Sequence, residues 1–387
     1  MTDRVLILGG RAPVALDHAR RFRRLGWEVH VADSIPCRLS GWSSAVSSTH
    51  AIPPPRDDAR GFVAALNRIV VAHRIDLLLP TCEEALYLAG YRDALPGGLR
   101  VAVDGFDLLA ALHDKWRFLG VASKYGMQVP ESGCVRTLAE AREWALGRPV
   151  VLKPAYSRFG VHVRIYPQGI PDDAPELPKM GDWVVQAFIA GQELCSYSIA
   201  HGGQLLAHSV YRPAYRLNGS SSYYFDPVQR PAIRDAVAAF VQGTGYSGQV
   251  SFDWIEGPDG RPLALECNPR ATSGLHLFPP DADLPSALMG EGPVHETGTL
   301  RARMMGTLML TAGLQEAVCK GRLAQWFEDW RRADDVIQVP GDRLPMIGSI
   351  GDLVSFTQLA LRRRCNLREA STLDIRWDGE PLEALDA

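Results

Sequence analysis

The run Val5-Leu6-Ile7-Leu8 constrains this chain more than any other stretch. It is a short, wholly apolar strand pattern that stops at Gly9-Gly10. A helical pattern follows from about Val14 to Leu25, Gly26 ends it, and Trp27 to Ala32 reads as a second strand closed by Asp33. Strands joined by a helix run parallel, because a tight turn returns the chain antiparallel. Gly61 to Ala72 is helical again, Ile75 to Leu79 is another buried strand, and Thr81-Cys82-Glu83-Glu84 opens a further helix. Residues 1–112 are therefore predicted to form an open parallel α/β domain. The turn Gly9-Gly10-Arg11-Ala12-Pro13 can present N–H groups to an anion. Its two glycines are adjacent and no third follows, so the dinucleotide-binding fingerprint is not met.

A chain of 387 residues exceeds one ordinary core, so further domains are expected. The balance of 41 Lys+Arg against 44 Asp+Glu gives a net charge of −3. That offers no basic surface for nucleic acid or an anionic membrane. No run approaches the ~20 apolar residues of a membrane span, and Met1–Gly10 lacks the pattern of a secretory leader. Seven scattered cysteines with no CxxC pair argue against a zinc site or disulfide framework, so a reducing cytoplasm is the expected setting. Only five basic residues are lysines: Lys115, Lys124, Lys153, Lys179 and Lys320. Each is worth inspection, because an ammonium and a guanidinium do different work.

A second unit, 113–187, begins at His113-Asp114-Lys115. Trp116 to Tyr125 reads as a helix stopped by Gly126, and Thr137 caps a helix over Leu138 to Ala145. Val150 to Pro154, Val161 to Tyr166 and Trp183 to Phe188 read as strands, with a Pro- and Gly-rich loop over 167–182. A third unit, 188–300, holds paired antiparallel strands (Glu193 to Ala200, Gln204 to Tyr211), a helix from Ile233 to Gln242, and the strands Gln249 to Glu256 and Arg261 to Asn268 around Gly-Pro-Asp-Gly. Residues 301–387 read as mixed helix and loop, a C-terminal extension of the third unit.

If Asp259-Gly260 are the central residues of a two-residue turn, Asp253 lies opposite Glu266 and Ser251 opposite Asn268. Residues i and i+2 on a strand share a face, so Asp253, Glu266 and Asn268 converge. Two carboxylates and an amide oxygen suit Mg²⁺. The same pattern also suits a plain exposed polar face, with Trp254, Leu263 and Leu265 on the buried side. Lys153 follows three apolar residues at a strand end, where it meets either a phosphate or, by reaching outward, water. Lys115 sits in the first turn of a helix beside Asp114.

In chain order these features are Lys115, Val129-Pro130, Val150–Pro154, Val184-Val185-Gln186-Ala187-Phe188, Gly191, Glu193, Phe252-Asp253 and Leu265-Glu266-Cys267-Asn268-Pro269-Arg270. The set resembles the ATP-grasp superfamily, in its biotin-carboxylase and carbamoyl-phosphate-synthase type, over about residues 1–280. The resemblance implies an α/β and α+β architecture: an N-terminal parallel domain, a small lid domain and a central antiparallel domain. It implies ATP with Mg²⁺, for which Mn²⁺ can substitute. Lys115 and Lys153 would hold ATP phosphates. Gln186, Ala187 and Phe188 would meet the adenine edge and Glu193 the ribose. Asp253, Glu266 and Asn268 would bind metal. Arg270, with Lys153, would face the phosphoryl-transfer centre, or else Arg270 would face the substrate carboxylate.

The lid stretch Ala155 to Val161 holds one glycine where the family has several, so Ser157 and Arg158 become candidates for phosphate contact. Arg212, Arg216, His276, Glu83 and Glu84 are candidates for substrate contact, each with an ordinary structural reading beside it. The implied reaction joins a small-molecule carboxylate to an amine through an acyl phosphate. Bicarbonate activation and a non-catalytic nucleotide-binding role are the alternatives. The expected partners are those two small molecules, with a homodimer allowed and no nucleic acid or membrane.

Overall fold

Three sheets carry the chain, and each follows from a different local pattern. The computed structural model describes residues 2–36, 38–158, 160, 162–217, 221–297 and 301–385. Phe159 and Val161 of the lid stretch, and Cys37, lie outside the described residues.

The first sheet is parallel throughout, in the order Ser48–Ala51, Glu28–Asp33, Arg4–Leu8, Leu77–Leu79, Arg100–Val101. Its central strand keeps Val5 to Leu8 buried, as expected for a strand covered on both faces. Helix Pro13–Arg24 starts with proline at its first position, where a missing N–H costs nothing. Helix Ala59–His73 is capped by Asp58, whose side chain accepts from the Gly61 N–H. The strands Ser48–Ala51 and Arg100–Val101 were not expected. Both are short and half exposed, without the apolar run that marks a central strand.

The second sheet is antiparallel, in the order Ser132–Val135, Trp183–Ala187, Val150–Pro154, Arg164–Tyr166. Helix Leu138–Ala145, capped by Thr137, covers it. Val135, Leu138, Ala141, Val150, Leu152, Trp183 and Val185 make a small core of their own. The last strand starts at Arg164, three residues later than expected.

The third sheet runs Pro262–Asn268, Gly248–Glu256, Gln192–His201, Gln204–Leu217, Ser221–Pro227, Ala302–Met304, Ala333–Asp335, with His295–Glu296 beside Gln204–Leu217. Helix Pro231–Thr244 packs Val237 and Phe240 beneath it, against Phe252. Gln204–Leu217 continues past its expected end to pair with Ser221–Pro227, a strand that was not foreseen.

Residues 301–387 were expected as one extension of the central unit, and they divide. Up to Asp335 they widen the central sheet. Helix Pro345–Arg363 then returns to the parallel domain, where the buried carboxylate of Asp352 accepts from the Leu39 N–H at 3.0 Å. Beyond it, Asp374 joins Asp33 in holding the buried guanidinium of Arg11. Trp377, buried against Phe106, and Asp378, paired with Arg56, tie the same tail down further along. Among the described residues, no helix is long and apolar enough to cross a membrane.

Candidate active site

The hairpin Gly248–Glu256 and Pro262–Asn268 carries the centre of the site. Asp253 pairs with Glu266 and Ser251 with Asn268, the register expected from the sequence. The route to that register differs. The turn spans five residues, closed by Gly257 N–H to Arg261 C=O at 3.3 Å and Gly260 N–H to Gly257 C=O at 2.9 Å. Gly260 takes φ 74°, which a glycine adopts without strain. Near the turn Trp254 therefore faces Ala264, one step off. A bulge between Asp253 and Trp254 leaves Leu265 without a partner and restores the register at the carboxylates. The buried residues of the second strand are consequently Ala264 and Cys267, not Leu263 and Leu265.

The bulge has a chemical use. The Leu265 carbonyl, freed from the ladder, accepts from Lys153 Nζ at 2.9 Å. Lys153 Nζ also donates to Gln186 Oε1 at 3.2 Å, and Gln186 Nε2 donates to Ser132 Oγ at 3.0 Å. Ser132 thus orients the amide that orients the lysine. Burial pulls the Lys153 ammonium down to about 8, against the attraction of Glu266.

Lys115 comes from the other side. Asp114 caps helix Lys115–Lys124 by accepting from the N–H groups of Trp116 and Arg117. This fixes Lys115 in the first turn, buried, with Nζ 3.4 Å from Glu266 Oε2 and 2.8 Å from the Ser157 carbonyl. Burial and the adjacent Glu266 push the Asp253 carboxyl up. Burial pushes Glu266 the same way, but Lys115 and Lys153 overcome it and hold Glu266 down. A pair of facing carboxylates, one of them reluctant to ionise, fits a hard divalent cation such as Mg²⁺. Asn268 Oδ1 accepts from Arg270 Nη2 at 3.1 Å, so the third oxygen and the arginine are held together.

The remaining candidates separate into three groups. Ala187 and Phe188 lie at the end of the lid strand, and their N–H groups donate to the carbonyls of Glu131 and Pro149. Pro149 has no N–H to return to Phe188, so carbonyl oxygens are what this hinge can present. Gly191 lets the hinge pass the Glu256 carbonyl, since a Cβ there would stand 2.2 Å from that oxygen. Glu193 is exposed and ion-paired with Arg216, while Arg212 pairs with Asp226 across the sheet. Both arginines proposed for a substrate carboxylate already hold one of the chain's own.

Ser157 and Arg158 diverge. The Ser157 hydroxyl is buried with no partner among the described residues, directly beside the carbonyl that Lys115 engages. The Arg158 guanidinium turns away. It donates to Glu83 Oε2 at 2.6 Å and to the Trp377 carbonyl at 2.6 Å, pairs with Asp378, and sits 3.1 Å from His113 Nε2. It could reach a phosphate only by leaving all four.

Glu83 is thus part of this clasp. Glu84 accepts from the N–H groups of Thr81 and Cys82 at 2.9 Å each and shapes its own turn. His276 is buried on Asp17 at 2.7 Å and stacks on Phe225, between the parallel and central units. Ser132, His113, Trp377 and Asp378 were not legible as site residues, because each acts through a partner far away in the chain.

No family model matches the chain. It is 26% identical over 202 residues to the carbamoyl phosphate synthase large chain of Rubrobacter xylanophilus, covering 47% of this chain and 19% of that one. It is 28% identical over 167 residues to a D-alanine–D-alanine ligase of Anaeromyxobacter, covering 37% of this chain and 54% of that one. The chain therefore spans about half the ligase's length and a fifth of the synthase's. Among solved structures, N5-carboxyaminoimidazole synthetase from Staphylococcus aureus complexed with ADP superposes with a TM-score of 0.62 at 13% identity, over 78% of this chain and 82% of that one.

Proposed function

Because the chain has the ATP-grasp fold, we propose that it is an ATP- and Mg²⁺-dependent ligase joining a small-molecule carboxylate to an amine. The observation that carries this is the convergence of Lys115 from a helix and Lys153 from a lid strand onto the hairpin face of Asp253, Glu266 and Asn268. The similarity to a D-alanine–D-alanine ligase supports the reaction class.

Little covalent chemistry would fall to the protein. A substrate carboxylate oxygen bonds to the γ-phosphorus of ATP, the bond to the bridging oxygen breaks, and ADP leaves. The amine nitrogen then bonds to the acyl carbon, phosphate departs, and the nitrogen's proton goes to phosphate or solvent. Lys115 and Lys153 would bind phosphate oxygens, exchanging Glu266 and the Leu265 carbonyl for them. Asp253, Glu266 and Asn268 would hold Mg²⁺, which supplies charge neutralisation. Arg270, fixed by Asn268, would face the transferring group.

A second reading, bicarbonate as the activated acid, is favoured by the similarity to a carbamoyl phosphate synthase. The six free cysteines among the described residues suit a reducing, cytoplasmic setting for either. An array of acids, bicarbonate included, against amines, read by phosphate release and product mass, tests both. The expected result is Mg²⁺-dependent ADP and phosphate with one acid–amine pair. Tight ATP binding with no ADP release across the array would overturn catalysis and leave a nucleotide-binding regulator.

A further inference from the structure

Far from the hairpin, the parallel domain gathers three histidines. His30 lies on Glu28–Asp33 and His50 on the edge strand Ser48–Ala51, and His30 faces Ser48 across the ladder. With its period of two, the edge strand puts Ser48 and His50 on one face. Helix Ala59–His73 ends over that face and lowers His73 onto it. One nitrogen from each ring lies within 4.8 Å of the others.

The side chains hydrogen-bond to one another at distances near those an ion would impose. His30 Nδ1 and His50 Nε2 are 3.2 Å apart. Ser48 Oγ is 2.7 Å from the first and 3.0 Å from the second. The His73 ring centre is 4.7 Å from each of the other two. Ligands at about 2.0–2.1 Å around a tetrahedral ion stand about 3.3 Å from one another. The three edges among His30, His50 and Ser48 need to open by about 0.1 to 0.6 Å to reach that spacing, and the His73 nitrogen stands within 4.8 Å of the other two, close enough for its ring to turn in.

From this juxtaposition we infer that His30, His50 and His73 form a binding site for a borderline divalent transition metal, Zn²⁺ foremost, with the Ser48 hydroxyl or a water as fourth ligand. Three imidazoles and an oxygen are the donor set of an open zinc site. The His30 Nδ1 faces the cluster, and on the far side of the ring Glu28 Oε1 stands 3.3 Å from Nε2, a carboxylate placed to draw that N–H once the ring turns onto an ion. His30 is 2% exposed, while His50 and His73 are half-buried, so the ion has a route in. Arg38 beside His50 and Arg4 beside His30 oppose a cation, and Glu28 offsets Arg4 directly. The site shares no residue with the hairpin centre, and Mg²⁺, which prefers oxygen, would not compete for it.

The test uses the full chain, stripped of metal and dialysed against Zn²⁺ in excess Mg²⁺. The expected uptake is about one tightly held zinc per chain. His50→Ala and His73→Ala should each abolish it, and Glu28→Gln should weaken it about tenfold. Glu266→Gln should leave it intact. Co²⁺ in place of Zn²⁺ should give tetrahedral visible bands with no thiolate charge-transfer band. Circular dichroism, with His50→Gln as a milder variant, separates loss of the site from loss of the fold. No uptake by the wild type, uptake unchanged in the histidine variants, or a thiolate band would each overturn the assignment.

Discussion

The hairpin face and the Arg158 clasp are built from the same materials and differ in how they are assembled. In the first, Asp253 and Glu266 sit 13 residues apart on paired strands, and lysines arrive to balance them. In the second, Glu83, His113, Arg158 and Asp378 come from the first two units and the tail, with Arg158 and Asp378 separated by 220 residues. The first face is polarised toward a ligand: its carboxylates crowd each other, and Lys153 is held below its ordinary pKa. The clasp closes on itself, with every cation matched by an anion or a carbonyl. Crowded like charges mark a place awaiting a partner, and matched charges mark a place that has one.

The largest expected effect is on the hairpin. Glu266→Gln keeps the shape and removes the charge that faces both lysines. Turnover should fall about 10²–10³-fold, with an unchanged circular dichroism spectrum. Full turnover in a folded variant would make the hairpin face no different from the clasp.

Lys153→Arg comes next. The ammonium fits between Gln186 Oε1 and the Leu265 carbonyl, and a planar guanidinium does not. Loss of one charged hydrogen bond, about 1.5–3 kcal/mol, corresponds to about a ten- to hundredfold drop in ATP turnover. Gln186→Leu should move the rate the same way but less. Unchanged kinetics in Lys153→Arg would sharpen the comparison differently, placing the ammonium with the structural charges.

These two predictions rest on residues that could be read along the chain, and the reason is local. Strand period and a turn signal placed Asp253, Glu266 and Asn268 on one face, although a longer turn and a bulge cancel to give that register. An Asp before a helix placed Lys115. The Leu265 carbonyl was illegible because backbone groups carry no residue code, and only the bulge frees one. Arg158 was legible as a residue and not as a position. A solitary glycine in the lid suggested a side chain over phosphate, whereas the tail, more than two hundred residues later, supplies the partners that hold it. The edge strands Ser48–Ala51 and Arg100–Val101 were missed for a related cause, since they are short and their half-exposed residues carry no apolar run.

Arg158→Ala tests the clasp as structure. Glu83 is buried and would lose its main cation. Stability should fall by about 2 kcal/mol, seen as a lower urea midpoint, while KM for ATP stays within about threefold. A rise in KM of tenfold or more, with little loss of stability, would place Arg158 among the phosphate ligands and dissolve the contrast between the two regions.

The pH dependence of the clasp, spread over more than two pH units, is its most gradual signature. His113 Nε2 can accept from Arg158 only as a neutral imidazole, and burial holds it down at about 4 from an ordinary 6.5, with Glu83 opposing. The unfolded chain therefore takes up the proton first. Stability from this group is fully present above pH 6.5 and declines as the pH falls from 6.5 toward 4, by at most about 1.4 kcal/mol per pH unit. Buried His18 and His208 act in the same direction, so the informative quantity is a difference. Chemical denaturation of the wild type should show a steeper acid decline than that of His113→Gln over this window. Equal slopes would mean that His113 takes up its proton in the folded clasp as readily as in the unfolded chain, as a second cation beside Glu83.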